Sequence, residues 1–144
     1  MKFWDSSALV PLLVEEEMTA PLRDLYLSDS GTITWWGTSI ECASALSRLE
    51  RENKLSAREV TGALERLDAL ARHWHRIEPV DAVLETARRL LRVHPLRAAD
   101  SLQLAAAFLA SEGRPSTLEL VCLDDRLVTA AQREGFLVWD QSRL

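Results

Sequence analysis

Cysteine is scarce in this chain: Cys42 and Cys122 are the two present, far apart and in no CxxC spacing. That argues against a zinc site or a disulfide framework, and both thiols are expected as small buried apolar side chains. Glycine and proline, at five each, never gather into a linker, and no repeat or low-complexity tract interrupts the chain. One domain over residues 1–144 is therefore expected, long enough to bury a real core. Long hydrophobic runs are missing as well. The stretch from Ala8 to Val14 contains Pro11 and sits between Asp5 and Glu15-Glu16-Glu17, too short to span a bilayer. No small-residue cleavage site follows it, so the expectation is a cytoplasmic protein without membrane contact. Positive charge is in deficit, with 17 Lys and Arg against 22 Asp and Glu. A protein that coats nucleic acid would be basic. A nuclease stays open, because a bound divalent cation reverses the sign of the charge at its site.

What the chain does have is an alternation of extended and helical patterns. Lys2-Phe3-Trp4 reads as a short first strand that delivers Asp5 at its carboxyl end. Ser6 or Ser7 can cap the helix that follows, with Leu9, Leu12 and Leu13 on its apolar face. Thr19-Ala20-Pro21 opens a second helix, and Thr32 to Trp36 is β-branched and aromatic, a strand signal. Thr38-Ser39-Ile40-Glu41 fits a capping box for a helix to about Asn53, and Ser56-Ala57-Arg58-Glu59 repeats the signal for one to about Trp74. A short extended piece at Arg76-Ile77 precedes a helix from about Asp81 to Val93. Beyond Pro95 a helix is expected from about Leu96 to Ser111, stopped by Gly113. Leu118 to Leu123 reads as a buried strand, then a helix runs to Gly135 and Phe136 to Trp139 supplies a last strand. This order predicts an α/β fold, a mainly parallel sheet with helices on both faces. Such a topology collects strand ends and helix starts along one edge.

Four acids fall on that edge: Asp5 and Asp124 at strand ends, Glu41 and Asp100 in first helical turns. Taken singly, Asp5 has a structural reading as a helix cap, and Glu41 completes a capping box with Thr38. Asp100 is harder to explain so. From Ala98 to Ala110 only Asp100, Ser101 and Gln103 are polar, the pattern of a buried central helix. A helix N-terminus stabilises an exposed anion by roughly 0.3–1 kcal/mol, so Asp100 needs a partner, either Arg97 one turn away or a metal. Asp124 or its neighbour Asp125 can cap the next helix; Asp125 is the better candidate for that role and Asp124 for the crevice. Four carboxylates in one crevice require a cation.

The remaining polar and aromatic residues suit ordinary roles. His73, His75 and His94 are expected in solvent, Trp35 and Trp36 in the core. The arginines around Arg48–Arg58 and Arg88–Arg97 sit at helical spacing, as solvated faces or salt-bridge partners. Those near the acidic edge can grip a phosphate backbone.

Four segments carry a family resemblance. Phe3-Trp4-Asp5-Ser6-Ser7-Ala8-Leu9-Val10 resembles the first strand and turn of PIN-domain nucleases. Thr38 to Leu46 is similar to the family's glutamate-bearing helix, Leu96 to Ala105 to its third acidic motif, and Cys122-Leu123-Asp124-Asp125-Arg126-Leu127 to its fourth. Cys122 stands where that fourth motif usually has a small hydroxyl residue. The match is collinear over essentially the whole chain, whose length resembles the VapC-type toxins of type II toxin–antitoxin pairs. The resemblance implies a PIN-like domain and a Mg²⁺- or Mn²⁺-dependent ribonuclease. Asp5 and Asp100 would hold the principal ion, Glu41 and Asp124 would complete the set, and Ser6 or Ser7 would orient a water or a carboxylate. It also implies an RNA substrate, an antitoxin partner and a homodimer, with partner contacts expected around Arg48 to Leu70 and Glu15 to Glu17. A nuclease without a toxin role, or a catalytically silent binding module, are the alternatives. A phosphatase would want an Asp-x-Asp pair after the first strand, which Asp5-Ser6-Ser7 does not supply.

Overall fold

A computed structural model describes residues 1–143; Leu144, the last residue of the expected 1–144 domain, lies outside them. The strands are β1 (Lys2–Trp4), β2 (Thr32–Trp35), β3 (His75–Ile77), β4 (Glu119–Val121) and β5 (Leu137–Val138). They form one sheet in the order β3-β2-β1-β4-β5, each pair parallel. The helices are α1 (Ser6–Leu13), α2 (Thr19–Ser28), α3 (Thr38–Arg51), α4 (Ala57–Ala71), α5 (Asp81–Val93), α6 (Ala98–Ala110) and α7 (Asp125–Arg133). The α/β architecture expected from the sequence, a parallel sheet with helices on both faces, is the one observed.

Side-chain alternation in the central strands separates two cores. Phe3 pairs in register with Leu120 and Trp4 with Val121. Phe3 and Leu120 pack with α5, α6 and α7; Trp4 and Val121 pack with α1, α3 and α4. Helices thus cover both faces. The chain builds outward from β1 to β3, then returns to add β4 and β5 on the other side of β1. The strand order therefore reverses between β1 and β4, where sheets of this kind open a crevice at their carboxyl edge.

Local signals explain most boundaries. The Ser56–Glu59 capping box forms: Ser56 Oγ accepts from the Glu59 N–H at 3.1 Å and Glu59 Oε1 from the Ser56 N–H at 3.0 Å. Gly113, at φ +74°, ends α6 as expected. The Thr38–Glu41 box does not form. Thr38 is already inside α3, whose cap is Gly37, and the Glu41 N–H bonds the Gly37 carbonyl at 3.2 Å. Glu41 is thereby free of a capping duty. Two burial expectations also fail. Trp36, just past β2, is 49% exposed, whereas His94 is buried and bonded through Nε2 to Glu134 Oε2 at 2.7 Å. Among the described residues, no helix is long and apolar enough to cross a membrane.

Candidate active site

Asp5 follows β1 and Asp124 follows β4, so the two flank the point where the strand order reverses. The first turns of α3 and α6 add Glu41 and Asp100. All four line one cavity of about 420 Å³, with Ser6, Ser7 and Arg48 also on its wall. Asp125 is not among its lining residues; it belongs to neighbouring cavities. The capping assignment is the reverse of the expected one. Asp124 Oδ1 accepts from the Leu127 N–H at 3.1 Å and caps α7, while Asp125 is the first residue of that helix.

Asp5, rather than Ser6 or Ser7, caps α1. Its Oδ2 accepts from the Ser7 N–H at 3.1 Å, from Ser7 Oγ at 2.5 Å and from Cys122 Sγ at 3.6 Å. Ser7 Oγ in turn accepts from the Leu123 N–H at 2.9 Å, which ties the exit of β4 to the start of α1. Cys122 is buried as expected, but it is more than core. Its sulfur also accepts from the Asp124 N–H at 3.3 Å, so the thiol links the backbone of one aspartate to the carboxylate of the other. Asp100 Oδ2 accepts from the Arg97 backbone N–H at 3.2 Å. No ion pair joins the Arg97 guanidinium to it among the described residues.

Glu41 is held from both sides. Ser6 Oγ donates to Oε1 at 3.2 Å, and Gln103 Nε2 donates to Oε2 at 3.0 Å. Gln103 Nε2 also reaches Thr38 Oγ1 at 3.0 Å. This glutamine is 1% exposed and its Oε1 has no hydrogen-bond partner among the described residues. Sequence reasoning noticed Gln103 only as a polar exception in an apolar helix. That exception, three residues after Asp100 and so one helical turn along, was the available signal.

Capping and cation binding prove compatible rather than exclusive. The hydrogen bonds to Asp5, Asp100 and Asp124 each fall on a single carboxylate oxygen among the described residues. The second oxygen of each remains for another partner.

Electrostatics push the same way. Burial raises the Asp5 carboxyl above its ordinary value, and the Asp124 charge adds to this against the Ser7 and Cys122 hydrogen bonds. Burial and the nearby Asp5 charge raise Glu41 from 4.5 to about 7, against hydrogen bonds from Gln103 and Ser6. Burial also raises Asp100, with Asp124 adding and the Arg97 N–H, Arg97 and Arg126 opposing. None of the four acids enters a salt bridge among the described residues. Up to four negative charges therefore share one concavity, and an all-oxygen donor set of this kind suits a hard divalent cation. The set is not preassembled: among the described residues, no three His, Cys, Asp or Glu side chains already stand as a ready metal cluster.

A larger cavity of about 590 Å³ lies between the end of α1, α3 and α4, lined in part by Glu15, Glu16, Leu49, Leu55, Arg58 and Gly62. It gathers none of the four acids, although Glu16 lines both cavities.

No family model matches the chain, and no curated protein does. Solved structures do. FitAcB from Neisseria gonorrhoeae aligns over 100% of both chains with a TM-score of 0.68 at 15% identity. PAE2754 from Pyrobaculum aerophilum aligns over 95% of this chain and 87% of its own, with a TM-score of 0.62 at 21% identity. A toxin–antitoxin complex from Klebsiella pneumoniae aligns over 86% of this chain and 87% of its own, with a TM-score of 0.60 at 15% identity. At such identities the likeness is one of fold.

Proposed function

We propose that this chain is a metal-dependent endoribonuclease, the toxin of a type II toxin–antitoxin pair, with the acidic cavity as its active site. The observation that carries the reading is that Asp5, Glu41, Asp100 and Asp124, from four distant segments, line one cavity without a basic partner in ion-pair contact. Asp5 and Asp100 would hold a Mg²⁺ or Mn²⁺ ion, and Glu41 and Asp124 would complete the ligand set directly or through water. The ion would lower the pKa of a bound water and offset charge on the phosphate and the leaving oxygen. The chain's own part is orientation. Ser7 and Cys122 fix Asp5, Ser6 and Gln103 fix Glu41, and the α7 cap fixes Asp124. Attack by water leaves 5′-phosphate ends, whereas attack by the ribose 2′-hydroxyl would leave cyclic phosphates.

The toxin role is supported by structural likeness to a toxin–antitoxin complex. The cavity of about 590 Å³ joins the two segments expected to carry partner contacts, and because Glu16 lines both cavities an antitoxin seated there would lie beside the acidic one. We assign the toxin to the cytoplasm, as a homodimer.

The test is cleavage of a structured RNA with Mn²⁺ by protein prepared alongside Asp100→Asn, with a chelator control. Loss of cleavage in both is expected; undiminished cleavage in both would sink the metal-nuclease reading. Growth arrest on expression, relieved by a co-expressed antitoxin, tests the toxin role.

A further inference from the structure

The acidic cavity does not end at the acids. A second cavity, of about 350 Å³, shares Asp100 and Asp124 with it and adds Arg97, Asp125 and Arg126. A third, of about 300 Å³, shares Asp125 and Arg126 with the second and adds Thr129 and Arg133. Shared walls make the three a continuous groove that runs from the acids along the starts of α6 and α7. Its character changes along the way: guanidinium groups join the carboxylates in the second cavity and outnumber the remaining one, Asp125, in the third.

The placement of the first two arginines is unfavourable for the fold alone. Arg97 is the N-cap residue of α6, a position that prefers Ser, Thr, Asp or Asn, and Arg126 is the second residue of α7. Both put a cation at the positive end of a helix dipole. Both are exposed, and neither forms a salt bridge among the described residues. What moderates them is the carboxylate field of the cavity, since both guanidinium charges are felt at Asp100. A divalent cation bound by those carboxylates would offset about half of that field and leave the arginines facing the groove with less of their charge compensated.

Given the nuclease reading above, on which this rests, we infer that the RNA strand leaves the acidic cavity past Arg97 and Arg126 toward Arg133, its phosphates gripped one side of the scissile bond. Guanidinium forks suit phosphate oxygens. Cationic side chains spread over successive cavities fit a polyanionic chain better than a single phosphate. Cavities of about 420, 350 and 300 Å³ are too small to seat an A-form duplex, so the path suits an unpaired strand. Recognition here is of backbone, so these contacts set register and carry no base information.

The experiment is the salt dependence of binding. A fluorescently labelled single-stranded RNA is titrated with the full chain in Ca²⁺, with a gel confirming that the RNA stays intact, at several KCl concentrations. Each phosphate contact contributes about 0.7 to the slope of log K against log salt for a single strand. The double variant Arg97→Gln, Arg126→Gln should therefore lose about 1.4 from that slope. The lysine pair at the same positions should restore it, because the slope counts charge. A control pair on exposed residues of α5, Arg88→Gln with Arg92→Gln, should keep the wild-type slope. In Mn²⁺ the glutamine pair should show a raised KM. A wild type that cleaves RNA while the glutamine pair keeps the wild-type slope overturns this inference alone, as does a control pair that loses as much. Equal loss on a duplex of the same sequence overturns the unpaired-strand path. A wild type that neither binds nor cleaves RNA overturns the nuclease reading and this inference with it.

Discussion

Replacing Glu41 by glutamine should make the metal-free protein more stable, although it removes a proposed ligand. Burial and the Asp5 charge hold the Glu41 carboxyl at about 7, against an ordinary 4.5. A carboxyl raised in the folded state contributes stability that is fully present below 4.5 and is lost as pH rises through about 7. At about 1.36 kcal/mol per pH unit the whole rise is worth about 3 kcal/mol, and solvent screening in the open cavity brings this toward about 2 kcal/mol. Glutamine keeps the local hydrogen bonds. Its carbonyl oxygen can accept from Gln103 Nε2 and its amide can donate to Ser6 Oγ, the two groups that bond Glu41 now. The variant should therefore gain about 2–3 kcal/mol over wild type at pH 8 in EDTA, roughly 6–10 °C in Tm, and almost nothing near pH 4.5. Paired thermal and urea unfolding at both pH values measure it. With Mn²⁺ present the ordering should reverse, because an ion that binds the ionised wild-type site stabilises it by mass action. A variant less stable than wild type at pH 8 in EDTA would refute the reasoning, since the site would then hold no uncompensated charge.

Other expectations follow from single contacts. Gln103→Leu removes a buried amide whose Oε1 is unpartnered but strands Thr38 Oγ1 and strips a donor from Glu41, so stability should fall by about 1–3 kcal/mol. Mn²⁺ affinity by calorimetry should also fall roughly tenfold as Glu41 loses its orienting donor; unchanged affinity would deny Gln103 that role. Ser7→Ala strands the Leu123 N–H and strips a donor from Asp5, and should cost about 1–3 kcal/mol in urea unfolding. Burial alone would raise the Glu134 carboxyl, but hydrogen bonds from His94 and Arg89 bring it below its ordinary 4.5. That contribution is present above 4.5 and is lost as pH falls through the lowered value. Solvent screening keeps the effect small, so Glu134→Gln should cost at most about 1 kcal/mol at pH 7 and nothing in strong acid, as read by unfolding at each pH.

Most of the fold was legible from short-range pattern. The short strand Lys2–Trp4, the Ser56–Glu59 capping box and the stop at Gly113 each depend on residues within a few positions, and each forms as read. The Thr38–Glu41 box was a false signal of the same kind. Its spacing is right, but the chain enters α3 one residue earlier, through Gly37, and Thr38 turns its hydroxyl to Gln103. His94 misled for another reason. Nothing near it in sequence foretells Glu134, forty positions away.

By itself the sequence determined the alternation of strands and helices, the parallel sheet it implies, and the delivery of Asp5, Glu41, Asp100 and Asp124 to one edge. Those outcomes rest on periodicity, caps and the handedness of crossovers, which are local or nearly so. Only the tertiary structure decided what each acid touches. It put Cys122 between Asp5 and Asp124, turned Gln103 onto Glu41 across 62 positions of chain, and carried the groove on past Arg97 and Arg126. Contacts of that range depend on where β1, β4, α3 and α6 come to lie against one another, and no local pattern records that.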